Sequence, residues 1–193
     1  MSYISVYGFG ANGEICSEVD IPNAWRGFMA VWRTMEERYL PQYVPAWARP
    51  LGLYPGASPK QILEKMSYLP SRCADFANPN AVQEVWNLVD DEHVPLDERI
   101  CMCATFDKVL VKRESFKRVA QAFRTFDGVT CLPEQADVLE SFAKDDNIIA
   151  AGFSSSLVTG WAGRGIEDKD GNCRGYNCLT QDDHFWLSDD IKF

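Results

Sequence analysis

The residues best suited to chemistry stand near the C-terminus: Cys173, Cys178 and His184, spaced C-x4-C-x5-H. A thiolate is a nucleophile and a soft metal ligand, and an imidazole can act as its base or as a second ligand. As a catalytic set, Cys173 or Cys178 attacks, His184 takes the proton, and Asp182 or Asp183 orients the ring, which gives a cysteine-dependent hydrolase or transferase. As a metal site, the same three need a fourth donor, for which Cys101 and Cys103 are candidates. Neither set carries a local signature. The pair of short cysteine knuckles that marks a zinc module is absent, and a C-x-C step on a strand sends its side chains to opposite faces. With seven cysteines and two histidines in the chain, pairings of this kind arise by chance. No catalytic residue, metal ligand or cofactor is assigned on this basis.

Three further motifs fail on their own chemistry. Asp168-Lys169-Asp170-Gly171-Asn172 resembles part of a calcium loop, but aligning Gly171 with the turn glycine puts Ile166 and Asn177 at the end positions, which need acids. Gly160-Trp161-Ala162-Gly163-Arg164-Gly165 lacks the Lys-Ser/Thr of a phosphate loop. Ser154-Ser155-Ser156 has no flanking glycine elbow. A cationic run is the stronger signal. Lys108, Lys112, Arg113, Lys117, Arg118 and Arg124 fall within seventeen residues. On a helix, Arg113, Lys117 and Arg124 share one side, able to meet phosphate, an acidic partner or the protein's own carboxylates.

That run stands out against an acidic whole. The chain has 19 Lys and Arg against 28 Asp and Glu, a net charge of −9. Direct nucleic-acid binding, which gains affinity by neutralising phosphates, is excluded as a general property. A partner protein with a basic surface is the natural complement. The odd cysteine count, with no basic-then-apolar leader at the start, points to a reducing compartment, so a cytoplasmic location is expected. Apolar residues at 46% and aromatics at 12% exclude a disordered chain. No apolar run approaches the ~20 residues that span a bilayer, so no membrane association is expected.

At 193 residues the chain fits a single domain. Two β-rich runs, 3–9 and 14–21, flank Gly10-Ala11-Asn12-Gly13, whose Asn-Gly step suits a tight hairpin turn. Trp25, Phe28, Met29, Trp32, Met35 and Tyr39 recur at helical spacing, predicting a helix from Pro22 to Leu40, with Arg33 and Glu37 paired across one turn. Residues 41–59 hold five of the ten prolines and read as a loop. Ser58-Pro59-Lys60-Gln61 and Asn78-Pro79 open two more helices, the second facing Val82, Val85, Trp86 and Val89 inward. Residues 99–111 read as one strand or two, 114–126 and 133–145 as amphipathic helices, and 147–153 and 156–161 as closing strands. The fold class is α+β: an antiparallel or mixed sheet, opened by an N-terminal hairpin, with four to five amphipathic helices and a loop-rich acidic tail over 162–193.

With no coherent catalytic set, the composition favours a non-catalytic inhibitor or adaptor that docks on a basic surface of a partner protein. The cysteine enzyme is the alternative. The aromatic, Pro-rich loop supplies the anchors, Tyr43, Trp47, Arg49 and Tyr54, residue types enriched at interface hot spots. Asp182, Asp183, Asp189 and Asp190 supply the matching potential, as does the run Asp90-Asp91-Glu92.

Overall fold

The computed structural model describes residues 3–22, 27–40, 84–105, 109–155, 166–167, 173–174, 179, 185–187 and 191. The chain opens with β1 (Tyr3–Phe9) and β2 (Ile15–Pro22), antiparallel partners joined by the expected turn. Gly13 takes φ 74°, the left-handed region that a side chain would resist, and donates its amide to the Gly10 carbonyl at 2.9 Å. Helix α1 (Phe28–Tyr39) follows, then α2 (Leu96–Cys103), β3 (Val109–Lys112), a 3-10 turn (Arg113–Ser115), α3 (Phe116–Thr125), α4 (Leu132–Phe142) and β4 (Ala150–Ser155). Two-residue strands β5 (Ile166–Glu167) and β6 (Cys173–Arg174) pair with each other, and β7 (Phe185–Trp186) joins the main sheet.

The main sheet runs β2-β1-β4-β3-β7, antiparallel throughout except for the parallel β3–β7 pair. This is the α+β fold that the sequence predicts, with a mixed sheet opened by the hairpin. One sheet face carries Ile4, Val6, Val109, Val111, Ala151 and Phe153, which join the apolar sides of the helices in one core. Phe116, Val119, Ala120 and Phe123, the predicted apolar side of α3, are fully buried there. Phe123 packs on Phe153 with ring centroids 5.8 Å apart, a tilted aromatic contact. Where the chain passes from α4 to β4 it lies against β1. A Cβ at Gly8 would meet Ile148 Cδ1 at 2.8 Å and the Phe142 ring at 3.2 Å, so a larger residue there would have to displace those side chains.

Three expectations need correction. Pro22 ends β2 opposite Tyr3 instead of starting a helix, and α1 begins at Phe28. The extended register of the hairpin carries through Pro22, a tolerated position because a terminal residue of an outer strand can forgo its donor. Residues 99–103 are the second half of α2, not strand. Short apolar runs do not distinguish a buried strand from a buried helix. Pro95 at the cap and Asp97 and Glu98 in the first turn, where the helix dipole favours acids, settle it as helix. Among the described residues of that stretch, 109–111 are extended, as part of β3. Lastly, the expected strand over 147–153 begins at Ala150. The Pro-rich loop, Trp25, the helix expected after Ser58, the start of the one after Asn78 and the strand over 156–161 lie outside the described residues. Val85 and Val89 are buried as expected, with Trp86 packed beside them.

Candidate functional site

The described surface is shaped by where the cations go. Arg33 pairs with Glu37 at 3.1 Å, one helical turn apart as expected. Arg38 binds Glu98 and reaches the Asp127 carbonyl at 3.2 Å, while Tyr39 donates its hydroxyl to Glu98 at 2.7 Å. Burial, with the Glu98 carboxylate beside it, pushes the Tyr39 hydroxyl up. Arg118 binds Asp97, and Arg124 takes both Asp137 at 2.6 Å and Glu140 at 2.9 Å. Arg124 holds the Glu140 carboxyl below its usual range. Arg99 donates to the Val89 carbonyl.

Arg113 departs most from its sequence reading. Instead of standing on an open helix face, it precedes α3 and turns its guanidinium onto the end of α4. It donates to the carbonyls of Ala143 at 2.9 Å, Ile148 at 2.8 Å and Asp145, and to the Asp146 carboxylate at 2.7 Å. Lys112 lies 5.3 Å from the Trp186 ring centroid, a cation–π distance. The cationic run is therefore largely an internal brace; Lys117 stays exposed, and Lys108 lies outside the described residues. Lys112, Arg113, Arg118 and Arg124 thus engage the protein's own groups, one of the uses the sequence left open.

Two exposed carboxylates stand on β2, one of the two outer strands of the main sheet among the described residues. Along it, half-buried and exposed residues alternate up to Asp20: Val19 packs against the core, and Cys16, Glu18 and Asp20 face solvent. Glu14, at the end of the turn, is exposed as well. Ser5 on β1 donates to Asp20 at 2.5 Å and fixes that carboxylate beside the strand. Tyr7 lies directly across from Glu18; burial first, and then the neighbouring carboxylates, pushes its hydroxyl up. A bulge displaces the register between Gly8 and Phe9, opposite Cys16, and leaves Ser17–Pro22 in unbroken pairing. The turn before α2 adds Asp90 and Glu92, both exposed, and Asp91, which accepts the His93 amide at 2.9 Å.

The thiols do not form a set within the described residues. Cys101 and Cys103, two positions apart on α2, are fully buried and about 200° apart around the helix. Burial, reinforced by Asp97 and Glu98, holds the Cys101 thiol well above its ordinary range. Cys16 is exposed, but partial burial, Glu14 and Asp145 also push its thiol up, against thiolate chemistry. No group of three or more His, Cys, Asp or Glu able to hold a metal occurs among the described residues. Cys173 falls in β6, whereas Cys178 and His184 lie outside the described residues, as do Tyr43, Trp47, Arg49, Tyr54, Asp182, Asp183, Asp189 and Asp190.

The tail nonetheless has firm attachments. Leu179 and Trp186 pack on the second sheet face, with Tyr7, Phe9, Leu110 and Ala150, and Leu187 and Ile191 enter the main core. Among the described residues no helix is long and apolar enough to cross a membrane. No family model matches the chain, and neither the curated proteins nor the solved structures contain a match to it.

Proposed function

We propose that this protein is a non-catalytic, acidic binding protein, an inhibitor or adaptor that docks on the basic surface of a partner protein, a surface of the kind that can hold nucleic acid. One observation carries the reading: Arg33, Arg38, Arg113, Arg118 and Arg124 are engaged by the protein's own carboxylates and carbonyls, while Glu18 and Asp20 stand exposed on β2 and Glu14 in the turn before it. The chain's net charge of −9 adds a long-range field of the kind that steers a protein toward positive potential. Tyr43, Trp47, Arg49 and Tyr54 serve as anchors in this reading. Asp182, Asp183, Asp189 and Asp190 extend the negative field, and their chain neighbours Leu187 and Ile191 are buried in the core.

The test is native mass spectrometry of the tagged chain captured gently from its host, with a variant in which Asp182, Asp183, Asp189 and Asp190 are all replaced by Lys. A stoichiometric basic protein is expected with the native chain. Reversing four charges is expected to slow association about tenfold or more at low salt and to flatten its salt dependence. Equal capture by both chains refutes electrostatic docking, and a bare chain refutes the binding reading as a whole.

A further inference from the structure

We propose that β2 receives an extended basic segment of the partner as an added strand, with its lysines or arginines on alternate positions facing Glu18 and Asp20. This deepens the docking reading and rests on it. Three observations converge on the same strand. First, β2 is an outer strand of the main sheet among the described residues and is eight residues long, and an outer strand is where an extended segment can add to a sheet. Second, the bulge that commonly spoils such an edge is confined to its start, and Ser17–Pro22 keeps one regular register against Tyr3–Gly8. Third, Glu18 and Asp20 share one face, about 7 Å apart along the strand, the spacing of alternate residues on an incoming strand.

The charges choose the occupant. A second copy of this chain pairing through β2 would stack carboxylate against carboxylate, which cross-strand energetics penalise. A basic strand places an opposite charge beside each one. Asp20 is already held by Ser5, and Glu18 lies across from the buried Tyr7, so both carboxylates are positioned before the partner arrives. Val19 and Ile21, which pack toward the core, keep the strand seated while its outer side is engaged.

The probe is a fluorescent peptide of about seven residues, a common strand length, alternating lysine with valine. It is titrated into the full chain at low salt by anisotropy and followed by amide NMR. Saturable binding is expected, with shifts and new exchange protection concentrated on residues 15–22. Glu18→Gln with Asp20→Asn, which keeps side-chain size and the Ser5 contact, is expected to weaken binding about tenfold. A second peptide carries the same lysines but N-methylated amides on the edge meant to face β2, so it keeps the charge and cannot complete the ladder. Equal binding of both peptides overturns strand addition and leaves electrostatic docking standing. Shifts away from β2, or no binding of the first peptide to a chain that still captures its protein partner, overturn it too. Loss of both the peptide and the protein partner removes the docking reading itself.

Discussion

Replacing Arg113 with Ala tests how the cationic run is used. Its guanidinium satisfies carbonyls at the end of α4, where the last turn of a helix leaves acceptors without partners, and it carries its charge to the negative end of the dipole. It also joins the end of β3 to the α4–β4 connection, because the Arg113 amide donates to the Ile149 carbonyl at 2.9 Å and Ile149 in turn donates to Phe9 at 2.9 Å. A hydrogen bond to a charged group is worth about 1.5–3 kcal/mol. The Asp146 bond is discounted because that carboxylate is fully exposed, and water can replace part of the Asp145 bond. The part-buried bonds to Ala143 and Ile148 dominate, for a total loss of about 2–4 kcal/mol. For a chain of this length that lowers Tm by about 4–16 °C. Arg113→Lys keeps the charge and loses the fork, so it should recover less than half of the loss. Thermal melts by circular dichroism give the magnitude, and amide exchange should accelerate locally over 143–149. A loss below about 0.5 kcal/mol, the level of an ordinary surface residue, refutes the clamp and returns Arg113 to the pool of cations available to a ligand.

Two carboxylates make opposite predictions with pH. Arg124 lowers the Glu140 carboxyl, so its stabilisation is complete above the unfolded carboxylate range and fades as pH falls through the folded value; Glu140→Gln should lower Tm at neutral pH and converge with the parent in acid. Glu36 is raised, by burial first and then by Glu37, so its ionised form opposes folding above the unfolded value, and Glu36→Gln should raise Tm at neutral pH and lose that advantage in acid. Melts across the carboxylate range check both, and a reversed order for either variant refutes the assigned cause. Iodoacetamide labelling mapped by mass should spare Cys101, Cys103 and Cys131 in the folded protein and modify the exposed Cys16 only slowly. Rapid, selective labelling of Cys173 or Cys178 at neutral pH would instead favour the thiol enzyme.

Local chemistry was enough wherever a short stretch decided its own shape. Asn12-Gly13 set the hairpin, because the turn needs a left-handed residue and supplies its own register. The 3.6-residue recurrence of Phe116, Val119, Ala120 and Phe123, and of Val138, Leu139 and Phe142, named two helices and the sides they bury. The run at 99–103 was ambiguous because a segment buried on every side has no periodicity to read, although Asp97 and Glu98 carried a helix-start signal upstream.

What the sequence by itself determined, then, is the α+β class, the hairpin, the amphipathic helices and the excess of acid. Which charges remain outward was decided only in three dimensions. Arg113 reaches Ile148 from thirty-five positions away, and Arg124 reaches Glu140 from sixteen, separations at which no local pattern links donor to acceptor. Among the described residues the sheet order likewise puts β2 on the outside and β1 within, although both are β-rich runs of similar length. Pairing with β4 requires a strand that can bury both faces: Ile4 and Val6 on one, Tyr7 and Phe9 toward the other. The strand with carboxylates at alternate positions cannot be enclosed in that way, because burying them without partners costs more than the packing returns, and so it forms the edge that the proposed partner meets.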